Sequence, residues 1–217
     1  VTDTMNAMHL AVEDLSKVND VFAKTVTTSN TNVEMLGQTM KFAAPVAGEL
    51  GYSLEQVFAM AATLSQSGLK SGIAGRGMQT AMVKATKISK EWGMESHNLV
   101  DVLREVEARQ LSVTEISKIF GLQALKTVLV LKGNIGKFKE YETSLKGAEG
   151  ASDKMAKVIG HTTAGALKKL SSALQAVIEA GFARYAERLS TAFRDLAKWI
   201  RTNKDEILEF FDNFVYW

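Results

Sequence analysis

Cysteine is absent from the 217 residues, which excludes disulfides, thiolate metal sites and cysteine nucleophiles. Proline occurs once, at Pro45, so almost nothing in the chain forbids helix. Three histidines, His9, His97 and His161, stand in separate segments, with no pair at the spacing of a helix-borne metal site. They read as surface or capping residues. No stretch approaches the ~18 apolar residues of a membrane span, and Val128 to Leu131 is typical of the runs present. The beginning lacks the basic start, apolar run and cleavage pattern of a secretion signal. A net charge of +2 is too small to argue by itself for nucleic acid or membrane.

What is present is ordinary globular material: 46% hydrophobic and 23% charged residues exclude a disordered or collagenous chain. A compact chain of this length buries on the order of 70% of its unfolded surface. Charge is unevenly spread. Residues 1–60 carry three lysines against seven acids, a net of −4. Residues 61–90 carry Lys70, Arg76, Lys84, Lys87 and Lys90 and no acid, a net of +5. The Lys84, Lys87, Lys90 face reads as a solvated helix surface, with a tube, a partner or DNA as the sharper alternatives. Residue 1 is valine and the last residues are rich in aromatics (Phe210, Phe211, Phe214, Tyr216, Trp217). These features read as a piece of a longer protein, or as an end that docks on its own core or a neighbour.

Apolar residues recur at helical spacing throughout. Leu15, Val18, Phe22 and Val26 share one face. A polar run comes next, and Thr31-x-x-Glu34 reads as a capping box opening the second helix. Pro45 lies inside that helix and should bend it or start a new first turn. Ser53-x-x-Gln56 and Ser112-x-x-Glu115 are further capping boxes. Gly68, Gly72, Gly75 and Gly77 form a cluster expected to make a tight turn and let a helix start close against a neighbour. Gly133 and Asn134 should separate two helices. Gly147 to Ser152 is the best linker, with Ser152 or Asp153 capping the helix after it. From Ala164 to Arg201 the stripe Leu167, Leu170, Leu174, Val177, Tyr185, Leu189, Leu196 and Ile200, with Gly181 and Ala192 filling its gaps, steps by three and four. One such helix would extend ~57 Å. Its stripe suits a core-packing helix or a coiled-coil strand, and self-association is expected through it. Thr202 and Asn203 should interrupt it, with Asn203-x-x-Glu206 as a new cap.

Chemistry finds no foothold. No serine sits in a nucleophile elbow. Glu105 and Glu107 are too close in sequence to share a helix face. Lys70-Ser71 lacks the preceding glycine pattern of a phosphate loop, and Gly72-x-x-Gly75-x-Gly77 reverses the dinucleotide spacing. No enzyme activity, cofactor, metal or small-molecule substrate is expected.

Several segments in order resemble the core region of phage tail tape measure proteins. They are Ser29-Asn30-Thr31-Asn32 through Leu36-Gly37, Phe42-Ala43-Ala44-Pro45-Val46-Ala47, and Leu50-Gly51-Tyr52-Ser53-Leu54-Glu55. The turn Gly68, Lys70, Ala74, Gly75 keeps the family's frame, although its inner glycine falls one place late, at Gly72. Ile119-Phe120-Gly121-Leu122-Gln123-Ala124-Leu125, Gly150 to Ala156 and Gly165 to Ile200 continue the likeness, which covers about residues 14–202. The aromatic final stretch departs from it.

The resemblance implies a viral structural protein of a phage or prophage tail. Such proteins are rulers that set tail length during assembly and are ejected ahead of the DNA. It implies a virion location in the tail lumen, with host cytoplasm during assembly. Implied partners are further copies in a homo-oligomer, tail tube and tail assembly chaperone proteins, and transient contact with DNA or host membrane. The expected fold is all-α: a compact module of about seven to nine helices over residues 1–150, then a long amphipathic C-terminal helix over 151–217, coiled-coil in the sharper reading. A helical membrane-disrupting or pore-forming domain is the alternative. Its basis is the mixture of Phe and Trp with Arg and Lys after residue 164.

Overall fold

The structure, a computed structural model, describes residues 1–160, 171–172 and 190–215. Every regular element among them is helical. The order is α1 (Thr2–Ala7), a 3-10 turn (Val12–Asp14), α2 (Leu15–Thr28), α3 (Val33–Glu49), α4 (Leu54–Gln66) and α5 (Ser71–Glu91). Then come α6 (Leu99–Ala108), α7 (Val113–Phe120), α8 (Leu122–Lys132), α9 (Ile135–Lys146) and α10 (Ala151–Gly160). Residues 190–202 are helical, and α11 (Lys204–Val215) comes after a turn at Asn203. The chain divides into two units, Val1–Val158 and Ile159–Trp217.

In the first unit α4 has no solvent face. From Leu54 to Ser65 only Gln56 keeps partial access. A helix that is apolar all round must be covered on every side, and α2, α3, α5, α8 and α9 pack around it. Phe22 of α2 meets Phe58 of α4 edge-on, with ring centroids 4.7 Å apart. Buried Thr63 donates its hydroxyl to the Ala59 carbonyl at 2.7 Å, so its polar group is satisfied within the helix. Glu55 at the helix start is buried and pairs with Lys17 of α2 at 2.8 Å.

The closest seam joins α3 and α5. Fully buried Ala43, Ala44 and Ala47 of α3, with Ala74, Gly75, Ala81 and Ala85 of α5, leave little between the two backbones. A methyl group at Gly75 would collide with the Thr39 carbonyl oxygen, and one at Gly77 with the Thr127 side chain of α8. Thr39 completes the seam by donating to the Ser71 carbonyl at 3.1 Å. α3 itself runs through Pro45 without a break. Pro45 and Lys41 both lie on the solvent side, so the carbonyl deprived of its helical donor faces water.

The helix starts obey side-chain chemistry closely. Ser53 accepts from the Gln56 amide at 3.2 Å while Gln56 accepts from the Ser53 amide at 3.0 Å. Ser112 and Glu115 repeat the reciprocal arrangement. The box expected at Thr31 and Glu34 does not form. Asn32 caps α3 instead, its Oδ1 accepting from the Met35 amide at 2.8 Å. Asparagine is the stronger cap and stands one residue nearer the helix. Ser152 does not cap α10 either, because that helix begins at Ala151. Its amide and hydroxyl are taken by Asp20 of α2, a buried carboxylate that accepts better than any local group supplies.

The seam yields a paired test. Gly→Ala in an open helix position stabilises by about 0.5–1 kcal/mol, and nothing lies within 4 Å of a methyl at Gly37. Gly37→Ala should therefore raise the urea midpoint. Gly77→Ala should lower it, costing about 1–3 kcal/mol, because overpacking against Thr127 exceeds the helix-propensity gain.

Candidate functional site

The described residues assemble no chemical centre. No group of three or more His, Asp or Glu among them is placed to hold a metal ion. His9 pairs with Glu49 across an exposed surface at 3.0 Å, and His97 shares a 2.7 Å hydrogen bond with Ser89. His161 lies outside the described residues. Glu105 is occupied by Arg109 at 2.7 Å, and that guanidinium stacks 4.2 Å above the Trp92 ring. No helix among the described residues is long and apolar enough to cross a membrane. An open groove of about 570 Å³ runs between α1 and α3, past Asp3, Ala7, Gly37, Lys41 and Pro45.

The glycines singled out in the sequence divide by role. Gly68 ends α4 with φ of +81°, the left-handed conformation that glycine adopts without strain. Gly72, Gly75 and Gly77 belong to the first turns of α5, and the latter two face α3 and α8. Gly75 and Gly77 are packing residues.

Three features stand out. On α5, Arg76, Val83, Lys87 and Lys90 step along the exposed side, and Ile73 joins them with 64% of its surface exposed. Arg76 lies 5.0 Å over the Phe42 ring, and Lys87 reaches Glu91 at 3.7 Å in a solvated pair worth little. Lys84 is half-buried at the edge of this face. The second is the exposed helix over 190–202. Phe193, Leu196, Trp199 and Ile200 are each close to half exposed, and Leu208 of α11 continues the apolar exposure. Of the self-association stripe, Leu196 and Ile200 therefore stand open, while Leu167, Leu170, Leu174, Val177, Tyr185 and Leu189 lie outside the described residues.

The third has no signature in the sequence. Asp20 is buried on α2, and its two oxygens accept the Gly150 amide at 2.9 Å, the Ser152 amide at 2.9 Å and the Ser152 hydroxyl. The Ser152 hydroxyl, then its amide, hold the carboxyl below the usual carboxylate range against the upward push of burial, and Gly150 adds to them. Tyr52 plays a comparable part elsewhere: its buried hydroxyl accepts the Leu99 amide at 2.7 Å at the start of α6. Burial pushes that phenol up to about 12.

Comparison with known proteins supplies what the geometry does not. The family described as "Phage-related minor tail protein" matches residues 1–178. A "Tape measure protein" of Pneumococcus phage Dp-1 is 21% identical over 82% of this chain and 17% of its own length. A "Probable tape measure protein" of Escherichia phage P2 is 23% identical over 92% of this chain and 28% of its own length. The chain thus spans less than a third of either relative. No solved structure matches it.

The Asp20 clamp predicts a pH signature. A depressed carboxylate contributes stability that is present above its unfolded value, about 4, and is lost as pH falls through the lower folded value. Asp20→Asn should cost about 1–3 kcal/mol in urea unfolding at pH 7. The gap between wild type and variant should close below about pH 4.

Proposed function

Because the chain belongs to the phage-related minor tail protein family, we propose that it is a helical section of a tape measure, one that sets tail length mechanically rather than by catalysis. The observation that carries this reading is the match over residues 1–178 by a chain whose first unit, residues 1–158, is a set of helices around a packed core. Helix converts residue count into distance at 1.5 Å per residue, which is what a ruler requires. The chain as one continuous helix would reach ~330 Å. The caps and core of residues 1–158 favour a folded module carried by a longer ruler.

In this reading residues 1–150 form the module, and residues 151–217 form the amphipathic arm that associates with further copies. Half-exposed Phe193, Leu196, Trp199 and Ile200 support that role, since a stripe of large apolar side chains is costly to leave in water. Tail tube subunits and an assembly chaperone are the proposed partners, with passing contact to DNA and the host envelope during ejection ahead of the genome. The proposed places are the tail lumen and, during assembly, the host cytoplasm. Membrane disruption, the second reading, draws on Phe193 and Trp199 among Arg194, Lys198 and Arg201. Leakage of anionic liposomes by the chain would favour it.

Two measurements test the main reading. In the parent gene, duplicating about 28 residues of the arm should lengthen tails by about 42 Å in electron micrographs. Unchanged length would sink the ruler. For association, Leu174→Glu with Leu189→Glu should reduce an oligomer to monomer by light scattering. An unchanged mass would place the stripe against an internal core.

A further inference from the structure

Between α9 and α10 the helix is broken for only four residues, Gly147 to Gly150. Gly150 has φ of +73°, which turns the chain out of helical register. Ala148 is buried in the core. The start of α10 is held by Asp20, which is 130 residues away from Gly150 and uses both carboxylate oxygens on this junction.

Beyond that hold, α10 has little else. Asp153, Lys154, Ala156, Lys157 and Val158 are exposed, and none of their side chains makes a hydrogen bond or ion pair among the described residues. α9, in contrast, is firmly seated. Phe138 and Leu145 are in the core, and the Tyr141 hydroxyl bonds Gln66 of α4 and the Thr28 carbonyl of α2. An open cavity of about 380 Å³ lies beside the clamp, lined by Lys17, Asp20, Lys146 and Glu149 among others, so water has a path to compete for the carboxylate.

We propose that Asp20 is a latch on this junction: closed, it keeps α9 and α10 as two helices; open, it frees residues 149–158 to continue α9 as one helix while α1–α9 stay folded. The two states differ in few groups. Opening exchanges three hydrogen bonds to one carboxylate for water, moves Gly150 from positive φ to helical φ, and withdraws Ala148. The latch thereby governs the segment through which the chain continues, and it stands whether or not the protein measures length.

Native-state hydrogen exchange on the full chain tests it, with wild type, Asp20→Asn and Gly150→Ala compared. Alanine resists positive φ and favours helix, so Gly150→Ala biases the same equilibrium from the opposite side, without touching the carboxylate. In wild type the Ser152 amide should exchange through a smaller opening than the α4 and α5 amides, and both variants should speed it at least tenfold. The helical circular dichroism of Gly150→Ala should not fall below that of wild type. Unchanged exchange at Ser152 in Asp20→Asn would overturn the latch. So would exchange of the Ser152 amide in step with α4 in wild type, which would tie the clamp to global unfolding alone. Loss of helical signal in Gly150→Ala would overturn the continuous-helix state.

Discussion

A helix with no solvent face has to be covered before its neighbours can settle, and α4 imposes that demand on the first unit. Its small residues, Ala59, Ala61 and Ala62, are interspersed with Phe58, Met60 and Leu64, and five helices pack around it. The consequences spread outward. α3 and α5 both pack on α4 and also on each other, and they can do so only through a seam of alanines and Gly75. The start of α4 then needs a carboxylate that survives burial, and Lys17 of α2 supplies its counter-charge to Glu55. Burial of a charge is tolerated when it is paired in this way.

Much of this is legible in the sequence because helix signals are local. Ser53 with Gln56 and Ser112 with Glu115 act within four residues, and their boxes form where the spacing puts them. The breaks at Gly68, at Gly133 and Asn134, and at Asn203 fall at positions where composition interrupts the apolar rhythm. Where two local acceptors compete, the stronger wins, and Asn32 displaces Thr31 for that reason. The clamp is invisible from sequence. Nothing near Asp20 in the chain distinguishes it from a solvated acid, because its partners stand 130 and 132 residues away. The same holds for Tyr52, whose amide partner lies 47 residues on. Ser152 misleads for the converse reason: its local pattern is that of a cap, and a distant carboxylate claims it.

Function is legible by a different route. Composition and spacing point to helix and supply no familiar catalytic motif. The order of short segments from Ser29 to Ile200 carries the tail-protein likeness, and the family match over residues 1–178 stands on much of the same stretch. The geometry contributes the parts that a run of motifs lacks: which glycines are crowded by neighbours, which side of α5 meets solvent, and which large apolar side chains stand exposed along residues 193–208.

The span of the clamp also bears on synthesis. Ribosomes add about 5–20 residues per second, so the stretch from Asp20 to Ser152 takes roughly 7–26 seconds to emerge. For that interval α2 carries an acid whose intended donors do not yet exist. The N-terminal helices must therefore tolerate a hydrated carboxylate at a site later sealed, and closing so long a loop makes this contact a late event on the nascent chain.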